Sequence, residues 1–198
     1  MITLYLIRHG ETDFNKPGIY FGNTDADLNG LGIKQCKILA KAMDRIKLDA
    51  IISSPLKRCY KTAGYVASKK DLPIDVIDEL REMNFGIWEG QHYDEVARLY
   101  PEEWKQSNED WRNTSPTKGE SFRQFYDRVL EGLDKTLKHY SDKKVAVITH
   151  GGCMRVIVSA LLNLKQDGFW NFYFEHGKYS LLEIEEGHCT IKKINSIE

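Results

Sequence analysis

The chain has 198 residues, 41% of them hydrophobic and 29% charged, with 28 basic side chains against 29 acidic ones. That composition suits one folded domain with a sizeable core and argues against disorder. A net charge of -1 gives no basic field for nucleic acid. No apolar run approaches a bilayer span, and the amino end reads as strand rather than as a leader, so a cytoplasmic protein is expected.

Ile2 to Ile7 is a run of β-branched, leucine and aromatic residues, the pattern of a strand buried on both faces, and it ends in Arg8-His9-Gly10-Glu11-Thr12. In open α/β sheets ligands bind at the carboxyl ends of strands, and a histidine beside a guanidinium there suits an anion. A long polar loop, Gly10 to Leu28, contains Asn15. Asn29 then caps a helix over Leu31 to Ile46, with Ile33, Cys36, Leu39, Ala40 and Met43 at helical spacing.

A short strand, Ala50 to Ile52, ends in Ser53-Ser54-Pro55. The serines are suited to cap the next helix, Leu56 to Lys69, whose first turn carries Arg58. Arg58 is either a solvated helix arginine or a second guanidinium aimed at the crevice, and local pattern leaves both readings open. Ile74 to Ile77 reads as a strand. The segment Glu79 to Gly90 mixes acids and aromatics without clear periodicity, a setting that can seat a working carboxylate or form a solvated turn.

Tyr93 to Asn113 is polar and helical in pattern, interrupted at Tyr100-Pro101, and reads as two short helices capping the crevice. After a turn at Ser115 to Ser121 comes a long amphipathic helix with Phe122, Phe125, Tyr126, Val129, Leu130, Leu133 and Leu137 on one side. Lys144 to Thr149 is a second buried strand, and it too ends in a histidine and glycine, His150-Gly151-Gly152, before a helix from Cys153 to Leu164. Side by side, these strands would set His9 against His150 beside the Gly151 and Gly152 amides. The alternating tail, Tyr179 to Glu185 and Cys189 to Ile194, reads as an antiparallel hairpin at the sheet edge.

The four cysteines never form a C-x-x-C, and the six histidines show no paired ligand spacing. Reduced core cysteines and no metal site are expected. His92, His139, His176 and His188 lie among polar residues and are expected in solvent.

With these pieces placed, the chain resembles the histidine phosphatase superfamily, the phosphoglycerate mutase-like enzymes. The matching residues are Leu6 to Thr12 with Asn15, Ser53 to Arg58 with Thr62-Ala63, Glu79 to Glu82 with Phe85-Gly86 and Trp88-Glu89-Gly90, Pro116 with Gly119-Glu120-Ser121, and Val147 to Gly152, in the family's order. The resemblance implies an α/β fold: a three-layer α/β/α sandwich with a mostly parallel sheet, here in a single domain (1–198) with a helical cap at about 91–115. It also implies a small phosphate ester as substrate, no cofactor or metal, and a phosphohistidine intermediate. His9 would be the nucleophile, Glu82 the general acid and base, and Arg8, Arg58, Asn15, His150 and Gly151 the phosphoryl clamp. The compact cap is more like a phosphatase than a mutase, since a mutase must shield its phosphohistidine from water. Length, the Asn84 to Glu89 wording and the Trp111 to Phe122 stretch are most similar to bacterial α-ribazole phosphatases, which act in assembly of the cobalamin nucleotide loop. Broad-specificity sugar phosphatases share much of the pattern. Tyr20, Phe21, Trp104 and Trp111 would stack on a benzimidazole base or simply pack the cap.

Overall fold

The computed structural model describes all residues, 1–198. Six strands form one sheet: β1 (Ile2–Arg8), β2 (Ala50–Ser53), β3 (Ile74–Val76), β4 (Lys144–Thr149), β5 (Tyr179–Glu185) and β6 (His188–Ser196), in the order β3-β2-β4-β1-β5-β6. The first four in that order run parallel; β5 is antiparallel to β1, and β6 to β5. Six α-helices accompany them: α1 (Gly30–Met43), α2 (Lys57–Ala67), α3 (Tyr93–Leu99), α4 (Pro101–Glu109), α5 (Phe122–His139) and α6 (Gly151–Leu161).

The expected three-layer class is the one observed, and alternation along the strands explains it. Leu4 and Leu6 of β1, with Val145 and Val147 of β4, join a core containing Phe125, Val129 and Val156 from α5 and α6. Tyr5, Ile7, Ala146 and Ile148 point the other way, to Leu39 and Met43 of α1 and Ala63 of α2. Each fully buried Leu or Ile contributes about 1.5–3 kcal/mol relative to exposure, so the sheet is held from both faces. Cys36, Cys59 and Cys153 are buried free thiols.

Helix starts follow local chemistry in part. Asn29 accepts from Gly32 N at 2.8 Å, and Ser121 and Gln124 form a reciprocal capping box at the start of α5. Leu130 and Leu137 are only partly buried, at the edge of that helix's apolar face. The serines before α2 do not cap it: its N-cap residue is Leu56, with no side-chain cap bond, and the helix begins at Lys57. Nor does α6 wait for Cys153; it starts at Gly151, directly after one extended residue, His150. The low helix propensity of a Gly-Gly pair hid that junction, and packing of the following turn overrides it.

α1 leaves β1 toward one face, whereas α6 leaves β4 toward the other. Between the carboxyl ends of β1 and β4 the chain therefore parts and opens a crevice. No helix is long and apolar enough to cross a membrane.

Candidate active site

Strand register builds the centre. Arg8 stands opposite Thr149, and His9 N donates to Thr149 O at 3.1 Å, so the next side chains emerge together. The His9 and His150 rings lie 5.1 Å apart, edge to face, and both are buried. His9 Nδ1 is 2.7 Å from Gly10 O. A carbonyl only accepts, so Nδ1 carries the proton and Nε2 keeps its lone pair. His150 accepts at Nδ1 from Arg58 Nε (3.3 Å), which leaves its Nε2–H for Ser54 Oγ at 2.9 Å. Burial, reinforced by Arg58, holds both imidazoles well below the usual histidine pKa, so each is neutral at neutral pH.

Arg58 is fully buried, which settles where the side chain lies: inside, not in solvent. It donates to Thr24 O (2.7 Å) and Gly22 O (2.5 Å), and its guanidinium lies 4.4 Å from the Phe21 ring centre. Those carbonyls are presented by Glu89, whose carboxylate accepts from the amides of Gly22, Asn23, Thr24 and Phe85 and from Thr24 Oγ1, at 2.7–3.2 Å. Arg8 donates through Nη1 to Phe174 O at 2.6 Å, while its Nε is buried without a partner. A buried guanidinium donor lacking an acceptor is what an anion site requires.

Glu82 arrives from the irregular segment and accepts from Gly152 N at 2.9 Å and Met83 N at 3.1 Å. A Cβ at Gly152 would fall 2.3 Å from Glu82 Oε1, so only glycine admits the carboxylate there. That amide is engaged by Glu82 rather than free. Asn15 uses Oδ1 to accept from Thr12 N and Oγ1, both at 2.9 Å, which fixes the loop after His9 and leaves its amide nitrogen without a partner in the chain. At Gly151 a Cβ would stand 3.3 Å from the Arg8 guanidinium, so this arginine lies directly on the start of α6. The structure thus gathers Arg8, His9, Arg58, Glu82, His150 and Gly151, with Asn15 bracing the adjoining loop.

One histidine expected in solvent is at the centre. His176 donates from Nδ1 to His9 O at 3.1 Å, and its ring lies 5.1 Å from that of His9; burial lowers its pKa to about 4. Its neighbours in sequence, Glu175, Gly177 and Lys178, are polar, and they concealed that this stretch crosses the carboxyl end of β1. The available signal was topological: a strand pairing antiparallel with β1 must begin over that end. His92 is also engaged, accepting from Asp94 N at 3.3 Å to cap α3, whereas His139 and His188 are exposed.

A cavity of about 370 Å³ adjoins Glu82 and Gly152, walled by Tyr20, Phe21, Trp111, Phe169 and Trp170. Trp104 is not part of the wall; it packs behind Tyr20 and Trp88. Arg155, unremarked in the sequence, also lines the cavity. A wider hollow of about 600 Å³ between Leu28, Ile33 and α2 is lined by none of these side chains.

A model of the histidine phosphatase superfamily (branch 1) matches residues 4–197. Over 195 residues the chain is 37% identical to phosphoserine phosphatase 1 of Hydrogenobacter thermophilus, covering 98% of this chain and 92% of that protein. It is 34% identical over 194 residues to the adenosylcobalamin/alpha-ribazole phosphatase of Salmonella typhimurium, covering 98% and 96%. The crystal structure of the alpha-ribazole phosphatase from Shigella flexneri superposes with a TM-score of 0.92 at 32% identity, over 98% of this chain and 96% of that one.

Proposed function

The chain belongs to the histidine phosphatase superfamily, and on that premise we propose that it hydrolyses a phosphate monoester through a phosphohistidine formed on His9. The observation that carries this reading is the 2.7 Å bond from His9 Nδ1 to Gly10 O, which leaves an unprotonated, oriented Nε2 within the field of the buried Arg58 and the partly buried Arg8.

In the first half-reaction Nε2 attacks phosphorus in line, the ester P–O bond breaks, and Glu82 delivers its proton to the departing oxygen. In the second, the Glu82 carboxylate takes a proton from water, the water oxygen attacks phosphorus, and the P–N bond breaks to return neutral His9 and phosphate. Arg8 and Arg58 meet the charge that develops on the equatorial oxygens, with the Gly151 amide and Asn15 as further donors. Removal of one such fixed donor typically costs about 2.7–4 kcal/mol of transition-state stabilisation. Two guanidinium groups supply the positive charge, so turnover in EDTA is expected.

For the substrate we favour α-ribazole 5'-phosphate. Relatives of that activity cover nearly the whole chain, and the cavity beside Glu82 is aromatic and large enough for a two-ring base with its ribose. Ser107 of α4, with Trp111 and Pro116 just after it, lines the cavity, which supports α4 and the turn after it as a cap over the leaving group; α3 contributes no side chain to the wall. The phosphoserine phosphatase relative argues for a smaller substrate, but a three-carbon acid would leave most of these walls uncovered.

The test is a series of esters, α-ribazole 5'-phosphate, phosphoserine and 3-phosphoglycerate, ranked by kcat/KM in EDTA. α-Ribazole 5'-phosphate is expected first; a higher value for phosphoserine overturns the substrate. His9→Ala is expected to lose turnover and acid-labile phosphate labelling together, and retained turnover would end the covalent scheme.

A further inference from the structure

One cation in the cavity is unaccounted for by phosphoryl transfer. Arg155 lies about one turn beyond Gly151 and Gly152, on the same side of α6, and with Glu82 it is one of two charged side chains in the cavity wall. Its guanidinium stands 5.5 Å from the centre of the Phe169 ring and 5.4 Å from that of Trp170. The other interior arginines are all held: Arg58 by two carbonyls and His150, Arg128 by Glu120 and the carbonyls of Glu79 and Arg81, Arg8 by Phe174 O. Arg155 has neither a hydrogen bond nor an ion pair within the chain. Burial is the strongest influence on it, with Glu82 the main opposing charge. A half-dry cation with unused donors and no acceptor is costly unless a ligand supplies one.

We propose that Arg155 is a specificity-determining residue that donates its unused N–H groups to a pair of oxygen acceptors on the leaving group, close to the ester. Both vicinal sugar hydroxyls and a carboxylate present such a pair to a planar fork. The position fits. The ester oxygen must meet Glu82, Glu82 is fixed on Gly152, and Arg155 is three residues further along the same helix. Groups a few bonds from phosphorus therefore reach the guanidinium, while a base beyond them reaches Trp111 and Trp170, whose rings are 6.0 Å apart. This inference rests on the reading of the cavity as the leaving-group site.

The experiment compares wild type, Arg155→Gln and Arg155→Lys on α-ribazole 5'-phosphate, phosphoserine and phenyl phosphate, by release of inorganic phosphate. Phenyl phosphate offers no acceptors beyond its ester. In Arg155→Gln the ratio of kcat/KM for the preferred ester to that for phenyl phosphate is expected to fall roughly 10- to 100-fold, the worth of one or two charge-assisted hydrogen bonds. Arg155→Lys keeps the charge without the fork and is expected to lose less, and it serves should the glutamine variant fold poorly. A loss on α-ribazole 5'-phosphate that vanishes with its 2',3'-dideoxy analogue identifies the sugar. A loss on phosphoserine that vanishes with phosphoethanolamine identifies the carboxylate. A ratio within about 3-fold of wild type for both esters, too small for one charge-assisted bond, or an equal loss on phenyl phosphate, overturns the proposal. Wild type inactive on every ester overturns instead the phosphatase reading beneath it.

Discussion

At the residue scale, Glu82 and Gly152 form a unit that can be tested apart from His9. The carboxylate is seated by one helix-start amide, and the absence of a Cβ at Gly152 is what admits it. If Glu82 protonates the departing oxygen, Glu82→Gln slows alkyl phosphates, whose alkoxides leave poorly, far more than phenyl phosphate. Gly152→Ala is expected to mimic that variant, because its methyl occupies the carboxylate's place. Rates on the two ester classes in both variants decide the matter; an equal loss on each class would show that Glu82 does something other than donate a proton. His9 and His150 were readable because each ends a strand just before glycine, whereas Glu82 stood out from the Glu79 to Gly90 segment only through the family resemblance. Arg155 and His176 were not readable, since their meaning comes from what faces them: an aromatic wall from Phe169 and Trp170 in one case, the His9 carbonyl in the other.

At the scale of elements, the loop after His9 depends on a carboxylate from a distant turn. Glu89 gathers four amides and a hydroxyl, and by fixing Gly22 and Thr24 it sets the two carbonyls that hold Arg58. Glu89→Gln places an NH₂ group among those N–H donors. We expect a loss of about 1–3 kcal/mol in stability, read from the denaturant midpoint, and a fall in kcat/KM of similar proportion on every ester, phenyl phosphate included. A stability loss with unchanged kinetics would show that Arg58 does not rely on this loop. The glutamate stood in the sequence as part of an aromatic, acidic stretch, but apart from Phe85 its partners are more than 60 residues away, beyond what periodicity reports. Regular elements were legible for the opposite reason. β1 and β4 are continuous apolar runs because both faces are buried, and Asn29 and Ser121 cap through bonds made within three residues. Ser54 looked like such a cap, yet tertiary packing turned its hydroxyl to His150.

At the scale of the whole molecule, the crevice makes stability depend on pH. His9, His150 and His176 are all held neutral, with burial the main cause and Arg8 and Arg58 adding to it. Their folded pKa values lie below the ordinary value of 6.5, so as pH falls the unfolded chain binds protons first. The stability they contribute is full above pH 6.5 and is lost as pH falls toward the folded values, about 4 for His176. Each such histidine removes at most about 1.4 kcal/mol per pH unit within its own window, hence at most about 4 kcal/mol per pH unit where all three windows overlap. Against a total of roughly 5–15 kcal/mol for a typical domain, that slope is large enough for stability to fall measurably below pH 6.5, before most surface carboxylates titrate. The measurement is the urea midpoint between pH 7.5 and 5, in wild type and in His176→Phe. The variant loses the bond to His9 O and starts less stable, but its slope against pH should be shallower by one histidine's share. Parallel slopes would show that His176 is protonated in the folded state and that the ring beside His9 carries charge after all.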